Sequence, residues 1–356
     1  MGGKALSRDQ HRIINRRKRF QLRQTAGRIL GGRAARCGVV PHAGLVQVRR
    51  SEGVAHYSGI ETCGSVWNCP VCASKVAERR RLEVETLCRS HVQAGGRLYM
   101  AAFTMPHHRF QSCAELREAV ALAWRRTCSG KAWQRWRGNL SLHYSRALEV
   151  THGENGWHPH LHCLFYLPGD LTADEIDEFS TWLFERWRRA IERLGYGTCT
   201  ARVWRFEEAG HSERAGDYVA KWGADSEIAR GVLKAGKGGQ SPWELLQRAA
   251  EGDRRSAALF RAYSEAFKGA RQLTHSRGLR ELYAVDELSD DEAAAAEAVA
   301  EAMGALSRDE YAGVRRLGRL TVLLELAERD GWPAVEVALT EWGLRPDGRS
   351  SMEVWI

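Results

Sequence analysis

The chain has 356 residues, 44% of them hydrophobic, which suffices for two or three ordinary domains and excludes a disordered chain. Lys and Arg number 53 against 44 Asp and Glu, a net charge of +9, with arginine supplying most of the positive side, a balance that favours phosphate contacts. No segment approaches eighteen uncharged apolar residues and the opening MGGKALSRDQHRIINRRKRF is too charged for a secretory segment, so membrane and extracellular roles fall away and a cytoplasmic location is expected.

Residues 1–36 read as a basic N-terminal arm, rich in arginine from Arg12 to Arg36, that either lies on a duplex backbone or stays solvated. Residues 37–96 follow as a cysteine-bearing region and a helix. Cys63, Cys69 and Cys72 are tightly clustered among nine cysteines, the pattern of a metal site in a reducing compartment. Tetrahedral zinc needs a fourth ligand, for which Cys37 comes before His56; a redox pair at Cys69 and Cys72 is the alternative. Lys75 to Ala94 reads as a helix. On it Arg79, Arg80 and Arg81 are candidates for contacts to the DNA backbone, or a solvated face.

Residues 97–230 have mixed character. Strands are predicted at 97–105, 141–152 and 160–167, the last two joined by the turn Gly153-Glu154-Asn155-Gly156, and a fourth at 200–208. Helices are predicted at 113–134, at 172–193 with a Thr172/Glu175 capping box, and at 213–222. This order fits an α+β domain: an antiparallel sheet with helices on one face. Thirteen tryptophans are present, so most belong to cores, although Trp133, Trp136 and Trp157 are candidates for stacking on unpaired bases.

His158, His160 and His162 alternate in WHPHLHCLFYL. Residues two apart on a strand face one side, so His160 and His162 present two imidazoles together while Leu161 points to the core. His158 precedes Pro159 and reads as lying just outside the strand. Glu149 in the preceding strand can add a carboxylate by cross-strand pairing, and such a set suits Mg²⁺ or Mn²⁺ acting on a phosphate oxygen. In GDYVAKW, Tyr218 and Lys221 share a helix face, a phenol able to attack a phosphodiester beside an ammonium able to steady it. A Gly-rich loop is expected at 236–239. No Gly-x-x-x-x-Gly-Lys-Ser or Thr is present, which leaves an ATPase without a phosphate loop.

The order FTM (103–105), WHPHLHCLFYL (157–167) and YVAKW (218–222) resembles the three motifs of plasmid rolling-circle replication initiators in the HUH (histidine-hydrophobic-histidine) endonuclease superfamily. CGSVWNCPVCASKVAERR is similar to a stretch upstream of the nuclease core in that family, and the segment 262–282 to a tail in bacterial plasmid and integrative-element initiators. The resemblance implies an HUH nuclease core related to the RNA-recognition sheet, with His160 and His162 as the catalytic metal pair, Glu149 as the acidic ligand, Tyr218 as single nucleophile and Lys221 as its companion. It also implies a structural zinc, nicking of single-stranded origin DNA through a 5′-phosphotyrosyl link, work with a host polymerase and helicase, a homodimer as one state, and a bacterial cytoplasm. For a second strand cleavage, Glu213 and Asp217 are candidate bases for a water.

A relaxase, a transposase and a noncatalytic zinc-containing nucleic-acid-binding module are the competing readings. A relaxase places its tyrosine ahead of the histidines; here Tyr218 follows them. Residues 231–285 read as a helical extension. A fall in basic charge near Asp286-Glu287 marks the start of a C-terminal helical domain, 286–356, with helices at 289–303 and 307–329.

Overall fold

The computed structural model describes residues 7–42, 44–51, 53–209, 239–295 and 300–346. Among them the strands are β1 (Leu45–Ser51), β2 (Val54–Ser58), β3 (Arg97–Phe103), β4 (His143–Gly153), β5 (Gly156–Leu167), β6 (Phe206–Glu208), β7 (Leu273–His275) and β8 (Glu301–Ser307). The chain divides into two compact units, one of residues 1–73 with 289–356 and one of 74–288. Among the described residues no helix is long and apolar enough to cross a membrane.

In the first unit β2, β1 and β8 form an antiparallel sheet in that order. Val46, Val48, Ala55, Tyr57 and Leu306 pack from it against Tyr311, Val314, Leu320, Leu323, Leu324 and Leu339 of the helices Arg308–Arg316, Leu320–Asp330 and Trp332–Glu341. The strand β8 corrects the expectation of helix through 289–303, and the C-terminal segment is therefore not all helical. The basic N-terminus is likewise a helix, α1 (Arg8–Leu30), opened by a Ser7/Gln10 capping box. Arg16, only 5% exposed, holds Glu328 by two hydrogen bonds of 2.7 and 2.9 Å, and Arg17 holds Glu325. These two arginines of the arm are thus bound to the protein's own carboxylates.

The second unit is built on a five-stranded antiparallel sheet, order β6-β3-β5-β4-β7. Its long hairpin pairs β4 with β5 from His143↔Tyr166 to Gly153↔Gly156 in unbroken register, and Gly156 takes φ 86°, in the left-handed region that favours glycine. One face carries Phe103, Leu161 and Phe165. It packs on α4 (Cys113–Thr127) and α6 (Ala173–Glu192), with the Phe103 ring meeting Trp124 and Trp187 edge-on at 5.1 and 5.2 Å. Thr172 and Glu175 close the expected capping box on α6.

Among the described residues, the opposite face is covered at one end. There Val84, Leu87 and Cys88 of α3 (Pro70–Gln93) pack on Leu98, Leu164 and Tyr166, so helices lie on both faces of the sheet, not on one. The expected helix at 113–134 stops at Thr127, and a separate helix, α5 (Gly130–Asn139), follows. The expected fourth strand is shortened to β6, and the short β7 at the far edge was not expected.

Candidate metal centres

Cross-strand register builds the first cluster. Glu149 of β4 stands opposite His160 of β5, and His162 stands opposite Ala147 and Ala102. Paired residues share a face, so Glu149, His158, His160 and His162 all lie on the face that α3 covers at its other end. Glu149 Oε2 is 3.4 Å from His160 Nε2 and 3.6 Å from His162 Nε2. His160 Nδ1 is 3.1 Å from the His158 carbonyl, which can only accept, so Nδ1 carries the proton and Nε2 presents its lone pair toward the Glu149 carboxylate. A cation seated among these atoms would engage the carboxylate and both imidazole nitrogens at once. One carboxylate and two imidazoles suit a divalent metal and leave coordination positions for a phosphate oxygen or water.

Contrary to expectation, His158 lies inside β5. Pro159 is tolerated beside it because β3 stops pairing at Leu161, so that among the described residues β4 alone pairs with β5 there. The His158 ring stacks between His160, at 4.9 Å, and His107, at 4.8 Å. Burial, with the neighbouring His160, His107 and His162, pushes the His158 pKa down to about 4; burial also lowers that of His162, against the pull of Glu149. His107 was not singled out from the sequence, although the pair His107-His108 directly after strand β3 was a visible signal.

The second cluster lies in the first unit. Cys37, Cys63, Cys69 and Cys72 are all buried, with Sγ separations of 3.6 Å (37–69), 3.5 Å (37–72) and 3.7 Å (63–72). A disulfide would bring two sulfurs to about 2.05 Å. A tetrahedral zinc with Zn–S near 2.3 Å sets its sulfurs about 3.8 Å apart, close to what is found. The cluster is assembled by Cys37 just after the short helix α2 (Gly32–Arg36), by the Ser65 hydroxyl accepting from the N–H groups of Trp67 and Asn68, and by Cys72 in the first turn of α3. Hydrogen bonds among the four sulfurs hold the thiols of Cys37 and Cys72 below, and push those of Cys63 and Cys69 above, their usual range. His56 lies in β2 and is not part of the cluster.

Other candidate residues separate. Arg80 is bound to Glu83 and the Leu288 carbonyl, and Arg81 to Glu78 and Glu85, so both guanidinium groups are engaged by the protein. Trp157 is buried, stacked 6.4 Å from Tyr263 and edge-on to His152, and Trp133 is buried too; neither ring is open to a base. Trp136 packs on Phe179 and Trp182. Phe103 and Met105 of the FTM segment are core residues, and the Thr104 carbonyl accepts from Trp187 Nε1. Tyr218, Lys221, Glu213, Asp217, the expected helix 213–222 and Gly236 to Gly238 lie outside the described residues.

A family model described as replication protein matches residues 58–315. A curated relative, "Protein rep" of Streptomyces lividans, is 24% identical over 316 residues, 69% of this chain and 69% of that one. "Neomycin resistance protein" of Streptomyces cyanogenus is 29% identical over 187 residues, 42% of this chain and 43% of that protein. No solved structure matches.

Proposed function

This chain belongs to the replication-protein family, and from that premise we propose that it initiates rolling-circle replication of a plasmid or integrated element as a metal-dependent endonuclease and strand transferase acting on single-stranded origin DNA. The observation that carries this reading is the convergence of Glu149, His160 and His162 on one end of a sheet face. On this reading residues 97–230 are an HUH-type, RRM-like nuclease core. The segment 231–285 adds helices and the edge strand β7 to that core, and residues 1–36, 37–96 and 286–356 are its N-terminal, zinc-binding and C-terminal attachments.

Bound Mg²⁺ or Mn²⁺ supplies a Lewis acid for a non-bridging phosphate oxygen. Glu149, His160 and His162 hold that ion, and the His158 carbonyl fixes the His160 tautomer that makes Nε2 a ligand. The Tyr218 oxygen attacks the phosphorus, the bond to the 3′ oxygen breaks, and the products are a 5′-phosphotyrosyl protein and a 3′-hydroxyl from which a host polymerase extends. Lys221 stabilises the charge that gathers on the phosphoryl oxygens. Attack by a later 3′-hydroxyl on the phosphotyrosine closes the displaced strand and frees Tyr218. A second cleavage uses water, another subunit or another residue, with Glu213 and Asp217 as candidate bases.

Cys37, Cys63, Cys69 and Cys72 hold a structural zinc, and Arg79 is the remaining backbone contact on α3. The host helicase, a homodimer and a cytoplasmic setting complete the proposal. A denaturing gel of labelled origin strand with Mn²⁺ tests it: the wild-type protein is expected to cleave and Tyr218→Phe to lose cleavage. Cleavage at an unchanged rate by Tyr218→Phe overturns the nucleophile.

A further inference from the structure

Strand β3 ends at Phe103, and the chain then crosses the end of the β4–β5 hairpin before entering α4. The start of this loop is fixed by Trp187 on the Thr104 carbonyl and by buried Met105. His107 is stacked 4.8 Å from His158, itself 4.9 Å from His160, so the His107 ring lies within about 10 Å of the metal ligand. The loop then turns back on itself, with the Gln111 N–H donating to the His108 carbonyl (3.1 Å) and the His108 N–H donating to Gln111 Oε1 (2.9 Å). It rests on Gly156, where a β-carbon would stand 2.8 Å from Arg109 Cα. The loop is therefore seated and shaped, and what it displays is Phe110, 81% exposed, with the Arg109 guanidinium 4.8 Å over one face of its ring.

An exposed phenyl ring on a seated loop has no reason in packing. Residues 104–111, TMPHHRFQ, contain no carboxylate and carry an arginine and two histidines, which suits a phosphate backbone. A flat ring beside a guanidinium is the chemistry that stacks an unpaired base and contacts its phosphate together. We propose that Phe110 and Arg109 form a stacking platform for an unpaired nucleobase of the DNA strand that passes over the Glu149/His160/His162 cluster. The inference rests on the single-strand nuclease reading above. It assigns to this loop the grip on the substrate that the buried Trp133 and Trp157 do not provide.

The test is a fluorescence-anisotropy titration of the full chain with a labelled oligothymidylate in the absence of divalent metal. Phe110→Ala is expected to weaken binding about tenfold, Phe110→Trp to restore it to within about twofold, and Arg109→Ala to weaken it and flatten its salt dependence. An iododeoxyuridine-substituted strand is expected to cross-link to the peptide carrying Phe110. Equal affinity of Phe110→Ala and the wild type overturns the platform. So does a loss that tracks self-association in sedimentation, which makes Phe110 a protein contact. If the wild type forms its tyrosine adduct while Phe110→Ala binds normally, only this inference fails. If the wild type neither binds the oligothymidylate nor forms an adduct, the nuclease reading fails with it.

Discussion

Replacing Glu83 with Gln tests how the sheet edge beside the histidine cluster is held. Glu83, on α3, lies 2.6 Å from Arg280 Nε, 2.8 Å from Arg80 Nη1 and 3.1 Å from His275 Nε2, with only 9% of its side chain exposed. His275 belongs to β7, and its Nδ1 is 2.7 Å from Ser145 Oγ, which in turn is 2.9 Å from the Tyr166 hydroxyl. The carboxylate thus ties α3 to the edge strand, and β7 pairs with β4 up to Ala147, two residues from Glu149. Burial alone would raise the Glu83 pKa, but the close contacts with His275, Arg80 and Arg280 outweigh it and hold it down to about 2 from 4.5. At 1.36 kcal/mol per pH unit, that depression is worth about 3 kcal/mol. Loss of one partner from a buried ion cluster costs about 3–5 kcal/mol, a consistent magnitude. Because the folded pKa is depressed, the stabilisation is fully present above pH 4.5 and fades as the pH falls through 2. Thermal melts followed by circular dichroism are expected to show Glu83→Gln melting about 6–12 °C below the wild type at neutral pH, the gap closing in acid. Equal melting temperatures at pH 7, or a gap that persists unchanged to pH 2, refute this assignment.

His160→Ala is expected to weaken Mn²⁺ binding at least about tenfold, read by calorimetry, because it removes one of three protein ligands. In the metal-free protein, NMR titration is expected to find the His158 ring protonating near pH 4; protonation near 6.5 contradicts its burial between His107 and His160. Zinc analysis is expected to give one ion per chain, lost in Cys69→Ser together with cooperative melting of the unit that contains the cysteines.

The hairpin β4–β5 and the shared face of Glu149, His160 and His162 were legible because an alternating strand leaves a period of two in the sequence, and a Gly-flanked turn sets its register. The Thr172/Glu175 cap was legible for a similarly local reason. What escaped depends on distant partners. The helix expected at 289–303 ends inside EAMGALS, yet residues 301–307 become β8 because β1, some 250 residues earlier, offers them a strand edge. Arg16 and Arg17 read as a solvated or DNA-bound charge, and only the fold brings Glu328 and Glu325 to them. Trp157 was one candidate for base stacking against a core role; Tyr263, more than a hundred residues downstream, stacks beside it in the core. Cys37 was separable from His56 only as a preference, since the approach of α2 to the cysteine knuckle leaves no trace in spacing.

The most direct test of the proposed chemistry is peptide mass mapping after incubation of the full chain with candidate-origin single strands and Mn²⁺. The expected result is a nucleotide adduct on the peptide carrying Tyr218, absent without metal and absent in His160→Ala. An adduct on a different residue, or complete cleavage with no adduct, contradicts the tyrosine mechanism.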